Sequence, residues 1–297
     1  MTTIPQDEQG SRKVRSLLRA PTSSRTLFGT VMTGVVFACV ALALLPLLAV
    51  LFYVIVQGAS RLNWNVFTKL PPPALAPGGG FGNAIIGTLI MVGIGALISI
   101  PFGVLAAIYL SEFSSGSIAK WIRFATNVLS GVPSIIVGVF AYGVLVTTMH
   151  RYSALAGGFA LSVLMLPIIV RTTDEALQLV PGELRQGAVG LGATNFQTVS
   201  RVVLPAALPA IITGTTLAIA RAAGETAPLL YTALFWQFWR YDPLVGPMAS
   251  LSVFVYNSAT VPYKNQQELA WAASLILVLL VLLTSVFSRL ATARKIY

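Results

Sequence analysis

Long apolar runs constrain the fold of this chain more than any other feature of its sequence. An α-helix needs about 20 consecutive apolar residues to cross the hydrocarbon core of a membrane. Such runs cover residues 27–56, 84–110, 121–148, 154–170, 205–238 and 269–290. Charged residues make up 9% of the chain, whereas they make up about 25% of a soluble domain. The sequence therefore predicts an all-α, polytopic membrane protein with six transmembrane helices.

Three of these runs are irregular. The run 154–170 is short for a span, and the run 205–238 is too long for a single straight helix. Gly224 and Pro228 lie in the longer run and predict a break or bend there. Pro133 lies in the middle of the run 121–148, where it is expected to kink the helix and free the carbonyl of residue 129.

Positive charges predict how the helices are oriented, because cytoplasmic loops carry an excess of Lys and Arg. With the N-terminus inside, the outward segments carry only a small part of the 19 Lys and Arg residues, namely Arg61, Lys69, Arg151, Arg240 and Lys264. The others, apart from Arg221, fall in inward segments. Both termini are therefore predicted to be cytoplasmic. The net charge of +10 is explained by topology, so the chain is not predicted to bind nucleic acid.

The predicted organisation is a cytoplasmic arm over residues 1–26, a transmembrane domain over 27–290 and a cytoplasmic tail over 291–297. The apolar run after the arm exceeds the core of a signal peptide, which is about 7–15 residues long, and is interpreted as an uncleaved anchor. The outward segments 57–83 and 240–267 contain many Pro and Gly residues, which disfavour regular structure. Each is interpreted either as a contact for an external partner or as a plain connector.

Two charges lie inside the run 205–238. Arg221 and Glu225 occur in the stretch LAIARAAGETAPLLYTALF, and Arg221 is about 24 Å along a helix from Pro205 in a membrane core about 30 Å thick. Each such charge costs about 2.5–3.5 kcal/mol on insertion scales. Their spacing places both on one helix face. The planar donor fork of arginine suits a phosphate-like oxyanion, so a translocation path for an anion is predicted, with a structural ion pair as the alternative.

The segment 181–205, between the fourth and fifth runs, combines small residues with an apolar stripe. Small residues allow close approach of another chain. The segment resembles the EAA motif of bacterial ABC importer permeases, which reads E-A-A, three residues, G, nine residues, I, one residue, L-P. The matching residues here are Gln186, Gly187, Ala188, Gly192, Val202, Leu204 and Pro205. The departures are Gln186 for glutamate, which removes a charge, and Gly187 for alanine. The resemblance implies a helix that docks on an ATPase subunit.

Further stretches make the resemblance more specific. Four stretches are similar to segments of phosphate-importer permeases of the Pst system, A-type subunit. In order of strength, they are RAAGETAPLL, GVPSIIVGVFAYG, GGGFGNAIIGT and LPIIVRTTDEAL. The resemblance covers most of residues 78–290. It implies a type I ABC importer (MetI-like) permease fold with its core at about 80–290. It also implies that Arg221, Glu225, Thr226 and Ser134 belong to the substrate translocation path, although Thr226 and Ser134 are equally well interpreted as residues that bond to their own backbone.

The same resemblance implies the partners of the chain. They are inorganic phosphate, a C-type permease in a heterodimer, two ATPase subunits, an extracytoplasmic phosphate-binding protein and the lipid of the bacterial cytoplasmic membrane. No Gly-Lys dipeptide occurs in the chain, so it lacks the P-loop that binds nucleotide phosphates. ATP and Mg are therefore expected on the partner ATPase, and this chain is not predicted to be an enzyme.

Other chemistry has little support in the sequence. His150 is the only histidine and Cys39 the only cysteine, so no catalytic residues, metal ligands or cofactor are predicted. Two alternatives to a phosphate permease stay open. One is an ABC permease for another oxyanion or small solute, and the other is an ion-coupled secondary transporter in which Arg221 and Glu225 relay an ion.

Five further residues have structural interpretations. Asn83 and Thr88 are expected to pack or cap the second helix. Arg171 is expected to anchor the fourth helix at the headgroups, or to attract the anion at the exit. Asp174 is expected, with Glu175, to lie in a solvated loop.

Overall fold

The computed structural model describes residues 24–114, 116–244 and 246–293, with side chains as far as Leu290. Most of the predicted N-terminal arm and the tail from residue 294 lie outside the described residues. The chain divides into two units, residues 1–53 and 54–297. Residues 24–53 are helical throughout, and the packing described below is that of the second unit.

All regular structure in the described residues is helical, as predicted. The helices are α1 Ser24–Ala59, α2 Asn65–Thr68, α3 Gly82–Ile108, α4 Ser117–Ser130, α5 Ser134–Ala141, α6 Thr147–Met149, α7 Ala154–Gln178, α8 Gly182–Gly190, α9 Asn195–Thr198, α10 Leu204–Gly224, α11 Ala227–Thr232, α12 Leu251–Ala259 and α13 Lys264–Ala293. Short π-helical segments, in which the hydrogen bonds run from residue i to i+5, follow α3 at Tyr109–Phe113, follow α5 at Tyr142–Val146 and join α9 to α10 at Val199–Val203.

The predicted set of transmembrane helices is confirmed. The helices long and apolar enough to cross a membrane lie in Ser24–Ala59, Gly82–Phe113, Ala154–Gln178, Asn195–Gly224 and Lys264–Leu290. The bent pair Ser117–Ser130 and Ser134–Met149 makes a sixth span if it is counted as one.

The predicted kink at Pro133 is a sharp break. The helix axes on either side differ in direction by 101°, and Pro133 precedes α5 with an extended ψ of 135°. The expectation that the carbonyl of Leu129 is freed is wrong, because it accepts a hydrogen bond of 3.2 Å from the backbone N–H of Val132. The tight turn at Gly131 thus supplies a hydrogen bond to the carbonyl that the proline would otherwise leave without a donor.

The fourth span is longer than its apolar run. Helix α7 continues beyond residue 170 to Gln178, and Thr173, Asp174 and Leu177 are buried on its inner face. The expectation that Asp174 and Glu175 lie in a solvated loop is therefore wrong. The helix continues because its buried face continues, although the apolar run in the sequence has ended.

The fifth run is divided in two, as predicted. Helix α10 ends at Gly224, Glu225 is extended, Thr226 returns to helical dihedrals, and α11 covers Ala227–Thr232. Residues 234–244 and 246–250 form no helix. The excess length of the run is thus accounted for by a short second helix and a loop.

Helix α7 lies at the centre of the second unit and packs against α3, α10, α4 and α5. Glycines allow the closest approaches. An added Cβ at Gly158 of α7 would lie 2.6 Å from the Cβ of Ile94 of α3, and one at Gly103 would lie 2.8 Å from Ile169. Met91, Leu161 and Met165 fill the core between these helices. This packing fixes the helices that carry the candidate site.

Candidate translocation site and coupling segment

Arg221 and Glu225 lie at the break between α10 and α11. Arg221 is in the last turn of α10, and Glu225 is the first residue after it. The Nε atom of Arg221 is 3.6 Å from Oε1 of Glu225, which is longer than a charge-assisted hydrogen bond. The Arg221 side chain is 60% exposed and that of Glu225 is 17% exposed. The guanidinium is therefore open to a ligand or a partner chain, while the carboxylate is held against the protein.

The break is fastened to the start of α12. The hydroxyl of Ser252 donates a 2.8 Å hydrogen bond to the backbone carbonyl of Glu225. Ser250 caps α12 by accepting from the N–H of Val253, and the hydroxyl of Thr88 accepts a 2.8 Å bond from the N–H of Leu251. The backbone at Glu225 is thus held by a network that reaches back to α3.

Asn83 and Thr88 are buried by packing, as expected, but neither caps α3, whose N-cap residue is Phe81. The amide of Asn83 donates to the carbonyl of Trp236 at 2.8 Å. Together with the bond from Leu251 to Thr88, it ties the start of α3 to the irregular segment after α11.

Thr226 and Ser134 belong to two helices that pack together. Thr226 precedes α11, and its side chain does not cap that helix. Ser134 is the first residue of α5 and is half-buried. An added Cβ at Gly138 of α5 would lie 2.7 Å from the Cα of Pro228 of α11. The backbones of α5 and α11 are therefore in direct contact near the break.

The predicted coupling segment is a helix, a turn and a second helix. Gln186, Gly187 and Ala188 lie in α8, and Gly192 takes a φ of +85° in the following turn. That left-handed conformation favours glycine. Thr194 and Gln197 then form a capping box at the start of α9.

The end of the coupling segment leads directly into a span. Leu204 is the first residue of α10, and Pro205 follows in its first turn, where a proline N–H is not needed. The segment is thus joined without a flexible linker to the helix that carries Arg221.

The surface of the coupling segment is open. An added Cβ at Gly182, Gly187, Gly190 or Gly192 would meet nothing within 4 Å. Leu191 is 92% exposed and Phe196 is 71% exposed. Exposed large apolar residues beside small ones are typical of a surface that another protein covers.

Two ion pairs that the sequence did not predict lie near the coupling segment. Arg123 of α4 forms two hydrogen bonds to Asp174 of α7, at 2.8 and 3.0 Å. Arg185 of α8 donates to Glu112, which follows α3, at 2.8 Å. The acidic side chains are only 10% and 9% exposed, respectively. Each pair joins distant parts of the chain, so the spacing of residues in the sequence gave no signal.

No group of three or more His, Cys, Asp or Glu residues that would hold a metal ion occurs among the described residues. Arg171 and Glu175 form an exposed pair within α7, with Nε and Oε1 2.9 Å apart. This pair lines a cavity of about 460 Å³ together with Arg123 and Asp174.

The broken spans and the coupling segment define a membrane subunit of a transport system. In agreement, a family model described as "Binding-protein-dependent transport system inner membrane component" matches residues 99–297. Among solved structures, the chain resembles the bacterial alginate ABC transporter with a TM-score of 0.65, at 16% identity over 93% of this chain and 98% of the other. It also resembles the inward-facing MetNI methionine ABC transporter with a TM-score of 0.62, at 20% identity over 72% and 95%. These likenesses show the fold.

Relatives with higher identity define the family more closely. The phosphate transport system permease protein PstA of Haemophilus influenzae is 41% identical over 91% of this chain and 96% of its own length. PstA of Yersinia pestis is 41% identical over 84% of each chain, and PstA 1 of Mycobacterium tuberculosis is 35% identical over 89% and 87%. The chain therefore belongs to the PstA family of inner membrane transport components and is a multi-pass protein of the bacterial inner membrane.

Proposed function

We propose that this chain is a permease subunit of an ATP-driven phosphate importer and forms half of the phosphate translocation path. The observation that carries the proposal is the exposed guanidinium of Arg221 at a helix break inside an apolar span. The names of the PstA relatives support phosphate as the substrate.

The chemistry of the site suits a phosphate ion. A guanidinium presents several donors in a plane and forms paired hydrogen bonds to an oxyanion. Glu225 lies 3.6 Å from that guanidinium, so its carboxylate competes with the bound anion. A transport site has to release what it binds, and we propose that this competition favours release. We further propose that the hydroxyl groups of Thr226, beside this break, and of Ser134, at the start of α5, contribute to the path.

We propose that the surface of α8 and the following turn docks on an ATPase subunit. The residues concerned are Gln186, Gly187, Ala188, Gly192, Leu204 and Pro205. The open glycines and the exposed Leu191 support the proposal. ATP binding would then close two ATPase subunits, and their motion would reach α10 through this segment. ATP and Mg belong to those subunits.

The proposed assembly contains a C-type permease as the partner half and an extracytoplasmic phosphate-binding protein. Both termini are proposed to be cytoplasmic, on the distribution of Lys and Arg. The permease domain is proposed to cover residues 27–290, with the ABC core at about 80–290. Phosphate leaves the binding protein, meets Arg221 in the outward-open state and is released to the cytoplasm when ATP hydrolysis resets the core.

The test is radiolabelled phosphate uptake by proteoliposomes that hold the full complex, with ATPase activity measured in parallel. Arg221→Gln is expected to abolish uptake while the complex still assembles. Arg171→Gln is the matched control, because Arg171 also pairs with a glutamate four residues on. It is expected to retain uptake.

Three results would contradict the proposal in different ways. Full uptake by Arg221→Gln would show that the Arg221–Glu225 pair is structural. Transport of another anion in place of phosphate by the unmodified complex would make the chain an ABC permease for that anion. Uptake driven by an ion gradient without ATP would make it a secondary transporter.

A further inference from the structure

We propose that Arg123, Asp174, Arg185 and Glu112 form an arginine clamp that transmits movement of α8 to the broken span α4–α5. In this proposal they are positioning residues for the coupling of ATP hydrolysis to transport. The proposal rests on the proposed function of the chain as an ABC permease.

Arg185 fastens the coupling helix to two other parts of the chain. Its guanidinium donates to the carbonyl of Leu177 in the last turn of α7 at 2.8 Å, to that of Val180 just after α7 at 2.7 Å, and to Glu112 at 2.8 Å. A guanidinium that makes three bonds in one plane has little freedom to rotate. Helix α8 therefore cannot turn or shift without moving the ends of α7 and α3.

Arg123 fastens the first half of the broken span in the same way. It forms a two-pronged pair with Asp174 of α7, and its Nη2 donates to the carbonyl of Leu110 at 3.2 Å. Such forked pairs fix direction as well as distance. Helix α4 is thus fixed to α7 and to the end of α3.

Both arginines bind the π-helical segment Tyr109–Phe113. Arg123 donates a hydrogen bond to the backbone carbonyl of Leu110 in that segment, and Arg185 donates one to the side chain of Glu112. Ser111 also donates to Glu112 at 3.2 Å. One five-residue segment therefore joins the coupling helix to the broken span.

The connection continues to the candidate translocation site. Beyond the 101° bend after α4, α5 contacts α11 where Gly138 meets Pro228. Glu225 follows α10, the helix that carries Arg221, and α11 begins two residues later at Ala227. A displacement of α8 thus has a continuous packed route to the break, which is the physical condition for coupling.

Burial distinguishes the clamp from an ordinary surface ion pair. The carboxylates of Asp174 and Glu112 are almost fully buried, whereas both members of the Arg171–Glu175 pair are 59% exposed. Burying an ion pair is a poor way to gain stability, since desolvation offsets the attraction. Its directional bonds fix one relative arrangement of α4, α7, α8 and the end of α3, which is what transmission of a movement requires.

The experiment measures phosphate transported per ATP hydrolysed, in proteoliposomes holding the full complex with its binding protein. Glu112→Gln keeps an acceptor for Arg185 but removes the charge. It is expected to lower this ratio by about twofold to thirtyfold, the range for a change along a coupling network, while assembly and basal ATPase activity are retained. Glu175→Gln, the same change in the exposed pair of α7, is the control and is expected to leave the ratio unchanged.

The possible outcomes separate the proposals. An unchanged ratio in Glu112→Gln overturns the clamp and leaves the proposed function intact, whereas absence of phosphate uptake by the unmodified complex overturns the function. If Glu112→Gln does not assemble, Arg185→Lys, which keeps the charge but not the fork, is measured and is expected to lower the ratio. Failure of both variants to assemble shows that the clamp is a folding contact and also overturns the proposal.

Discussion

The guanidinium of Arg221 lies 3.6 Å from the carboxylate of Glu225, with 60% of the arginine side chain exposed and only 17% of the glutamate. The same i,i+4 pairing occurs in α7, where Arg171 and Glu175 are 2.9 Å apart and equally exposed. The α7 pair is a closed surface ion pair. The pair at the break is open, and its positive member faces away from the protein core.

This difference predicts that transport requires the planar guanidinium of Arg221 and not only its positive charge. Arg221→Lys keeps the charge but loses the planar donor fork. We expect phosphate uptake at low phosphate concentration to fall by about tenfold or more, equivalent to about 1.4 kcal/mol of lost interaction, with assembly unchanged. Arg171→Lys should transport normally. Equal uptake by Arg221→Lys and the unmodified complex would show that charge alone is needed at this position.

The open surface of α8 leads to a prediction about the ATPase partner. Gly187→Leu adds a side chain at an exposed position where a Cβ meets nothing within 4 Å in this chain, so we expect folding of the permease not to change. We expect the ATPase subunit to be lost during affinity purification of the complex, because the added side chain prevents that subunit from approaching α8 closely. Gly93→Leu is the control, since the space at Gly93 of α3 is also open. Retention of the ATPase by Gly187→Leu would contradict docking at this surface.

The contact between α5 and α11 leads to a prediction about stability. Gly138→Ala would place a Cβ 2.7 Å from the Cα of Pro228, so the two backbones must move apart. We expect a loss of about 1–3 kcal/mol, the usual cost of overpacking, measured as a lower thermal midpoint in detergent. Gly143→Ala, where an added Cβ meets nothing within 4 Å, should be neutral or stabilising by about 0.5–1 kcal/mol. Equal midpoints for the two variants would contradict the close packing.

The sequence was sufficient for features that depend on neighbouring residues. Apolar length predicted the spans, and Gly224 and Pro228 predicted the break after α10. These follow from helix periodicity and backbone sterics alone. The spacing of Arg221 and Glu225 predicted a shared helix face, which is wrong because Glu225 is the extended residue after α10, although the two side chains still lie 3.6 Å apart. The helix at Gly182–Gly190 was expected from the resemblance of this segment to the EAA motif.

Features that depend on distant residues were missed. Asp174 pairs with Arg123, 51 residues away, and Glu112 pairs with Arg185, 73 residues away. Neither partner can be chosen without knowing which helices pack, so Asp174 was assigned to a solvated loop. The size of the bend at Pro133 was missed for the same reason, since a proline fixes where a helix breaks and the surrounding packing fixes the angle.

The bond between Thr88 and Leu251 leads to a final prediction, which joins stability to transport. Thr88 is 3% exposed, and its hydroxyl donates to the carbonyl of Ala84 and accepts from the N–H of Leu251. Thr88→Val has nearly the same volume but leaves that N–H without its acceptor, at a cost of about 1–3 kcal/mol. Because α12 also holds the break through Ser252, we expect both a lower thermal midpoint and reduced phosphate uptake.

Two variants test whether the hydroxyl of Thr88 is responsible. Thr88→Ser keeps the hydroxyl and should restore most of the stability and uptake. Thr147→Val removes a hydroxyl that bonds only within its own exposed helical turn, to the carbonyl of Gly143, and should change neither quantity. If Thr88→Val and Thr147→Val unfold at the same temperature, the N-terminus of α12 is held by its packing. The break at Glu225 would then not depend on the hydroxyl of Thr88.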